Sequence, residues 1–253
     1  MIYNNNKMTD SFRYSETNNK ICIVTPIWKD KLTINELQNI YSSLKTNNHF
    51  DHFFVHPDNL DLSFYSNKFP RSKFVEFEDV FFKNIKGYNI LLQSSFFYEK
   101  FMDYCFMLVL QTDAILIKKI DELTNSHYDY IGAPWENGLI VPRFIFKNKI
   151  LSMLLRNVGF NIECYVGNGG LSLRRVAVFH ETCNKYLAVD WLNEDMKFAM
   201  LGKKNVIRIP EFEHSKKYFF EKTNDSIKCL PNVLGYHAVE RYYPNLYSQI
   251  FKK

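Results

Sequence analysis

Paired cysteines, a glycine-rich phosphate loop and a long apolar run are all missing from this 253-residue chain. The five cysteines, Cys22, Cys105, Cys164, Cys183 and Cys229, are far apart and never form the CxxC pairs of zinc ribbons or thioredoxin-like sites. They read as isolated thiols of a reducing compartment. Neither GxxxxGK[ST] nor a GxGxxG that opens a helix after a strand occurs, so neither a P-loop nor a dinucleotide fold is supported. No stretch approaches the ~18 apolar residues of a membrane span, and the polar first twenty residues lack the apolar core of a signal peptide. The expected location is the cytoplasm, at most peripheral to the inner face of a membrane. A strong charge bias is lacking too: 32 basic against 27 acidic residues give a net +5. That mild excess suits phosphate-rich ligands or an acidic membrane surface, and suits ordinary solvated charge equally well. No nucleic-acid partner is indicated.

What the chain does have is apolar content, 46% of positions, enough to bury one sizeable core. The Asn-, Ser- and Thr-rich residues 1–19 read as a loose tail. Residues 20–240 read as one α/β domain, and 241–253 as a basic, aromatic C-terminal tail that could touch a membrane or simply be solvated. Ile21-Cys22-Ile23-Val24 predicts a buried strand ended by Thr25-Pro26. A helical pattern covers Leu32 to Leu44, short strands follow at 52–56 and 73–77, and Ile90 to Met102 reads as one helix. Tyr104 to Leu110 is almost unbrokenly apolar and leads through Gln111-Thr112 to Asp113. This is the pattern of a central parallel strand that delivers a carboxylate to the sheet edge where ligands bind. Tyr128 to Trp135 reads as a strand entering a Gly/Pro turn, and Gly167 to Arg174 as a glycine cluster entering a strand. Val176–Lys185 and Asn193–Met200 predict helices, the second opened by Glu194-Asp195.

Several of these residues could carry chemistry. Asp113 offers a hard oxygen ligand to a divalent cation, or caps the turn after its strand. The Gly167-Asn168-Gly169-Gly170 cluster permits close approach to a ligand, or is a plain tight turn, with Arg174 and Arg175 near enough to reach phosphate oxygens. One of Glu194 and Asp195 can act as a general base, although acids at a helix start are more often dipole partners. His237 is a candidate neutral imidazole ligand or a packed histidine. Trp135 and Tyr130 could stack on a sugar face or fill the core. Asp58, after Pro57, could hydrogen-bond a base or ribose or serve its turn.

In sequence order, Tyr88-Asn89-Ile90-Leu91-Leu92 with Phe97-Tyr98, Gln111-Thr112-Asp113-Ala114, YDYIGAPW at 128–135, GNGGLSLR at 167–174 and Glu194-Asp195 resemble a largely uncharacterised family of glycosyltransferase-like proteins, often described only as a domain of unknown function. The resemblance covers roughly residues 20 to 240. It implies a GT-A fold, a Rossmann-like and mostly parallel sheet flanked by helices. It implies a UDP- or GDP-sugar donor, a glycan or lipid-linked acceptor, and Mn²⁺ or Mg²⁺ held through a DxD-type motif. Carried onto this chain, Asp113 is the metal-binding acid and His237 its partner. Asp195 is the first choice of base for an inverting transfer and Glu194 the second. Asn168, Gly169 and Gly170 form the floor beneath the donor, and Thr25, Pro26 and Asp58 border its nucleotide. Gln111 stands where the motif has a second acid. That departure keeps a non-catalytic glycan- or nucleotide-binding scaffold open, and a nucleotidyltransferase is a further alternative that lacks its expected glycine-rich loop.

Overall fold

Alternation along β1 (Ile21–Pro26) sorts the core into two faces. In the computed structural model, which describes residues 21–251, Ile21 and Ile23 enter one apolar layer while Cys22 and Val24 enter the other. The expected loose tail at 1–19 lies outside the described residues. Next come α1 (Ile34–Thr46), β2 (Asp51–Pro57), α2 (Ser63–Lys68) and β3 (Lys73–Phe77). Thr33 and Glu36 form a capping box that starts α1. The helix expected from Ile90 to Met102 is instead two, α3 (Ile85–Leu92) and α4 (Ser95–Glu99). The break falls at buried Gln93, whose Nε2 donates to Val189 O at 3.0 Å and whose Oε1 accepts from Val189 N at 3.3 Å.

The chain continues through β4 (Phe106–Leu110), β5 (Ala114–Leu116), β6 (Tyr130–Gly132) and β7 (Pro134–Pro142), then α5 (Lys149–Asn157) and β8 (Asn161–Val166). β9 (Leu171–Arg175), α6 (Val176–Lys185), α7 (Glu194–Lys203) and α8 (Phe212–Ser215) follow. β10 (Phe219–Phe220), β11 (Gly235–His237), α9 (Val239–Tyr242) and α10 (Pro244–Ile250) complete it.

The main sheet has the order β3-β2-β1-β4-β9-β6. β3, β2, β1 and β4 are parallel, and β9 then runs antiparallel to both β4 and β6. One face packs on α3, α4, α6 and α7 through Leu91, Phe97, Phe179 and Phe198, and the other on α1 and α2 through Ile40 and Tyr65. A small sheet, β10-β11-β5, and the two-stranded antiparallel pair β7-β8 extend from the carboxyl edge of the parallel strands. The segment read as a C-terminal tail is helical. Its Leu246 and Tyr247 are buried, and the Tyr247 hydroxyl donates to Asn39 Oδ1 of α1 at 2.8 Å, so its aromatic rings serve the fold.

Candidate active site

Asp113 sits in the turn between β4 and β5, three residues past the last residue of β4. Two elements fix that turn. Gln111 N donates to Gly170 O at 2.9 Å, tying it to the glycine cluster. From α1, Glu36 Oε1 accepts from Thr112 Oγ1 at 2.7 Å and Asn39 Nδ2 donates to Thr112 O at 3.3 Å. The capping acid of α1 thus also anchors the residue before Asp113. Burial opposes ionisation of Glu36, but hydrogen bonds from Lys29, Thr112 and Thr33 outweigh it and lower its pKa to about 2.

β11 is antiparallel to β5 and pairs His237 with Ala114. This places His237 Nε2 3.4 Å from Asp113 Oδ1 and Nδ1 3.2 Å from Glu221 Oε1. Nε2 is buried and, among the described residues, makes no hydrogen bond. Burial disfavours the imidazolium, yet the carboxylates of Asp113 and Glu221 prevail and raise its pKa to about 9. The Asp113 side chain remains half exposed. Ala238, next in the chain, has φ 51° and donates its N–H to Asp113 O at 3.0 Å. An alanine in the left-handed region is strained, and here the strain lies beside the candidate ligands.

Gly169 and Gly170 join this corner to the acid pair. A Cβ on Gly170 would lie 2.1 Å from His237 Nε2 and 2.6 Å from Gln111 Oε1, and one on Gly169 would lie 2.1 Å from Glu194 Oε1. Only glycine permits such approaches. Beyond them opens a cleft of about 350 Å³ whose lining includes Trp135, Asn168, Asp195, Glu221, Lys222 and Asn224. Asn168 is fixed by accepting from Gly170 N at 3.0 Å.

Glu194 and Asp195 have separate environments. Glu194 is buried and its Oε1 meets Arg174 Nη2 at 3.0 Å. Asp195 faces the cleft, and burial together with the charge of Glu194 raises its pKa to about 7. A carboxylate poised there suits proton abstraction near neutral pH.

Four expected contacts take other roles. Arg174 is 0% exposed, with Nη1 donating to the Tyr98 hydroxyl at 3.0 Å and Nη2 held by Glu194, so it cannot reach a phosphate. Tyr130 is fully buried, its hydroxyl donating to Gly167 O, and it offers no face to a sugar. Thr25 and Pro26 are buried, with Thr25 Oγ1 3.0 Å from His52 Nε2. Asp58 stays exposed at the carboxyl end of β2. Glu221 and Lys222 are the site residues that sequence reasoning missed. They follow a two-residue strand with no motif around them, and only the packing of β10 against β11 brings them in.

Among the described residues no three His, Cys, Asp or Glu side chains are grouped to hold a divalent cation. The corner nevertheless offers the Asp113 carboxylate, an imidazole nitrogen without a hydrogen bond, and the Gln111 amide oxygen on the same side of Gly170. Glu221 behind His237 supplies the carboxylate that commonly orients a ligating histidine. Such a set fits a hard cation that takes its remaining ligands from a diphosphate and water.

A mostly parallel sheet with an antiparallel β9 and helices on both faces is the arrangement of a GT-A fold. It is similar to the structure of the galactosyltransferase LgtC in complex with donor and acceptor sugar analogues, with TM-score 0.51 and 10% identity over 90% of this chain and 94% of that one. It is similar also to the bifunctional glycosyltransferase WbbM in its apo form, with TM-score 0.51 and 10% identity over 95% of this chain. The match spans about half of WbbM, 51% of its length. By sequence the chain belongs to the DUF5672 family, described as proteins of unknown function, whose model matches residues 71–237. No curated protein matches the sequence.

Proposed function

We propose that this chain is a glycosyltransferase that moves a sugar from a nucleotide-sugar donor, of the UDP or GDP type, to a hydroxyl of a glycan or lipid-linked acceptor, as in surface polysaccharide synthesis. The observation that carries the reading is the joint placement of the Asp113–His237 corner and Asp195 on either side of Gly169-Gly170. One side suits a diphosphate and the other an acceptor. Mn²⁺ or Mg²⁺ would be held by Asp113 and His237, with the Gln111 amide oxygen beside them. Bound there, the cation would offset negative charge on the leaving nucleoside diphosphate. Lys222 and Arg241 are the nearby exposed cations that replace Arg174 in that role.

The Asp195 carboxylate takes the proton of the acceptor hydroxyl. The acceptor oxygen forms a bond to the anomeric carbon as the bond from that carbon to the diphosphate oxygen breaks, and the electron pair leaves with the nucleoside diphosphate. Attack from the face opposite the leaving group inverts the anomeric centre. Asn168 and Trp135, both on the cleft wall, would orient the sugar, and Asp58 would face the nucleotide.

A glycosyltransfer screen across UDP- and GDP-sugars, with NMR of the first-formed product, tests the reading. Transfer with inverted configuration that is lost in Asp195→Asn supports it. Retained configuration would remove Asp195 from the role of base. Absence of transfer together with absence of any diphosphate binding would favour the scaffold alternative.

A further inference from the structure

Eight of the sixteen large apolar side chains exposed among the described residues fall within residues 140–160. They lie on the β7-α5-β8 excursion. Ile150, Leu151, Leu154 and Val158 form a helical face at i, i+1, i+4 and i+8, from 43% to 70% exposed, and Phe144 and Phe160 extend it at the helix ends with ring centroids 5.9 Å apart. The opposite face of α5 seats it on the protein: Ser152 is buried and its Oγ accepts from Phe146 N at 2.9 Å. Trp191 Nε1 pins the preceding segment by donating to Phe146 O at 3.0 Å.

Charge on the segment that carries this face has one sign. Residues 140–162 contain Arg143, Lys147, Lys149 and Arg156 and no acid. Exposed Lys203 lies beside Arg143, and Lys204 sits 5.2 Å over the Phe144 ring. Two acids share cavities with these cations, Glu163 with Arg143 and Asp190 with Lys147 and Lys149. Long cationic side chains at both ends of a protruding apolar helix face are the arrangement that lets apolar residues enter a bilayer while charges stay among the headgroups. A second copy of the chain would bring the same cations together across the interface, which disfavours self-association through this face.

We propose that the exposed face of α5, with Phe144 and Phe160 and its ring of cations, docks this protein on an anionic lipid bilayer. One residue is common to this surface and the cleft: Asn193 lines a cavity together with Lys147 and Lys149, and it also lines the cleft next to Asp195. If the proposed transfer holds, an acceptor carried on a lipid would therefore meet Asp195 from the bilayer side.

Co-sedimentation of the full chain with vesicles of phosphatidylcholine alone, and with phosphatidylglycerol added, tests the docking. Partitioning should be at least about tenfold stronger on the anionic vesicles and fall as salt is raised. Leu151→Glu with Leu154→Glu, and separately Lys147→Glu with Lys149→Glu, should each weaken it at least about tenfold while the melting temperature holds. Asp195→Asn should partition like the parent, so a failure of the proposed chemistry leaves this readout intact. No binding to anionic vesicles, binding indifferent to salt, or folded variants that bind like the parent would overturn the proposal. So would a parent dimer, seen by light scattering, that the leucine variants dissociate.

Discussion

His237 Nε2 approaches Asp113 Oδ1 to 3.4 Å because β11 runs antiparallel to β5 and sets His237 opposite Ala114. The pair is therefore a property of strand register, and Glu221 on the far side of the ring completes it. If these two side chains hold a cation, UDP or GDP should raise the melting temperature more in Mn²⁺ than in chelator. Asp113→Asn and His237→Ala should each abolish that difference and lower transfer by about 10²-fold or more. An intact metal-dependent shift in Asp113→Asn would remove Asp113 as a ligand.

Gly170→Ala tests the same corner without changing a polar group. The new methyl would need the space 2.1 Å from His237 Nε2, so the ring or the strand must shift. We expect a folded protein destabilised by about 1–3 kcal/mol in urea titration, with the metal-dependent shift lost. A variant that keeps both stability and metal response would show that the corner has slack.

Replacing Glu194 by Ala should act on stability before chemistry. Arg174 would be left charged and fully buried, a loss of about 3–5 kcal/mol in denaturant unfolding. Arg174→Met with Glu194→Leu removes both charges and should restore much of that loss. If Glu194→Ala is instead as stable as the parent and inactive, Glu194 and not Asp195 is the stronger candidate for base.

Asp195 sets a pH dependence whose sign follows from its raised pKa. The folded state favours the protonated carboxyl up to about pH 7, whereas the unfolded chain releases that proton near 3.8. Stability from this group is present below about pH 4 and is lost as pH rises toward 7, by up to roughly 4 kcal/mol at 1.4 kcal/mol per unit. Asp195→Asn should flatten that slope in thermal melts between pH 4 and 7. The same ionisation predicts that kcat/KM climbs to a plateau above about pH 7.

Much of the sheet was legible in the chain because buried strands need continuous apolar runs. Ile21–Val24, residues 52–56 and 73–77, and Phe106–Leu110 all lie in strands of the main sheet. The helix break at Gln93 was not legible, since it depends on hydrogen bonds to Val189 and Leu192 far along the chain. Nor was the β7-α5-β8 excursion, where apolar residues face solvent and the usual link between hydrophobicity and burial fails.

For the site, local sequence sets which groups the chain has to offer: an acid following an apolar strand, adjacent glycines, an acid pair at a helix start and a late histidine. Local pattern sets those, through strand periodicity, turn chemistry and capping. Which of them share a space follows from long-range packing. It set Asp113 against His237, drew Glu221 in behind, and split Glu194 from Asp195 by giving Glu194 a buried arginine. The same contact withdrew Arg174 from any ligand. The physical reason is desolvation: a buried charge must find a partner, and which partner is within reach is fixed by contacts between residues far apart in the sequence.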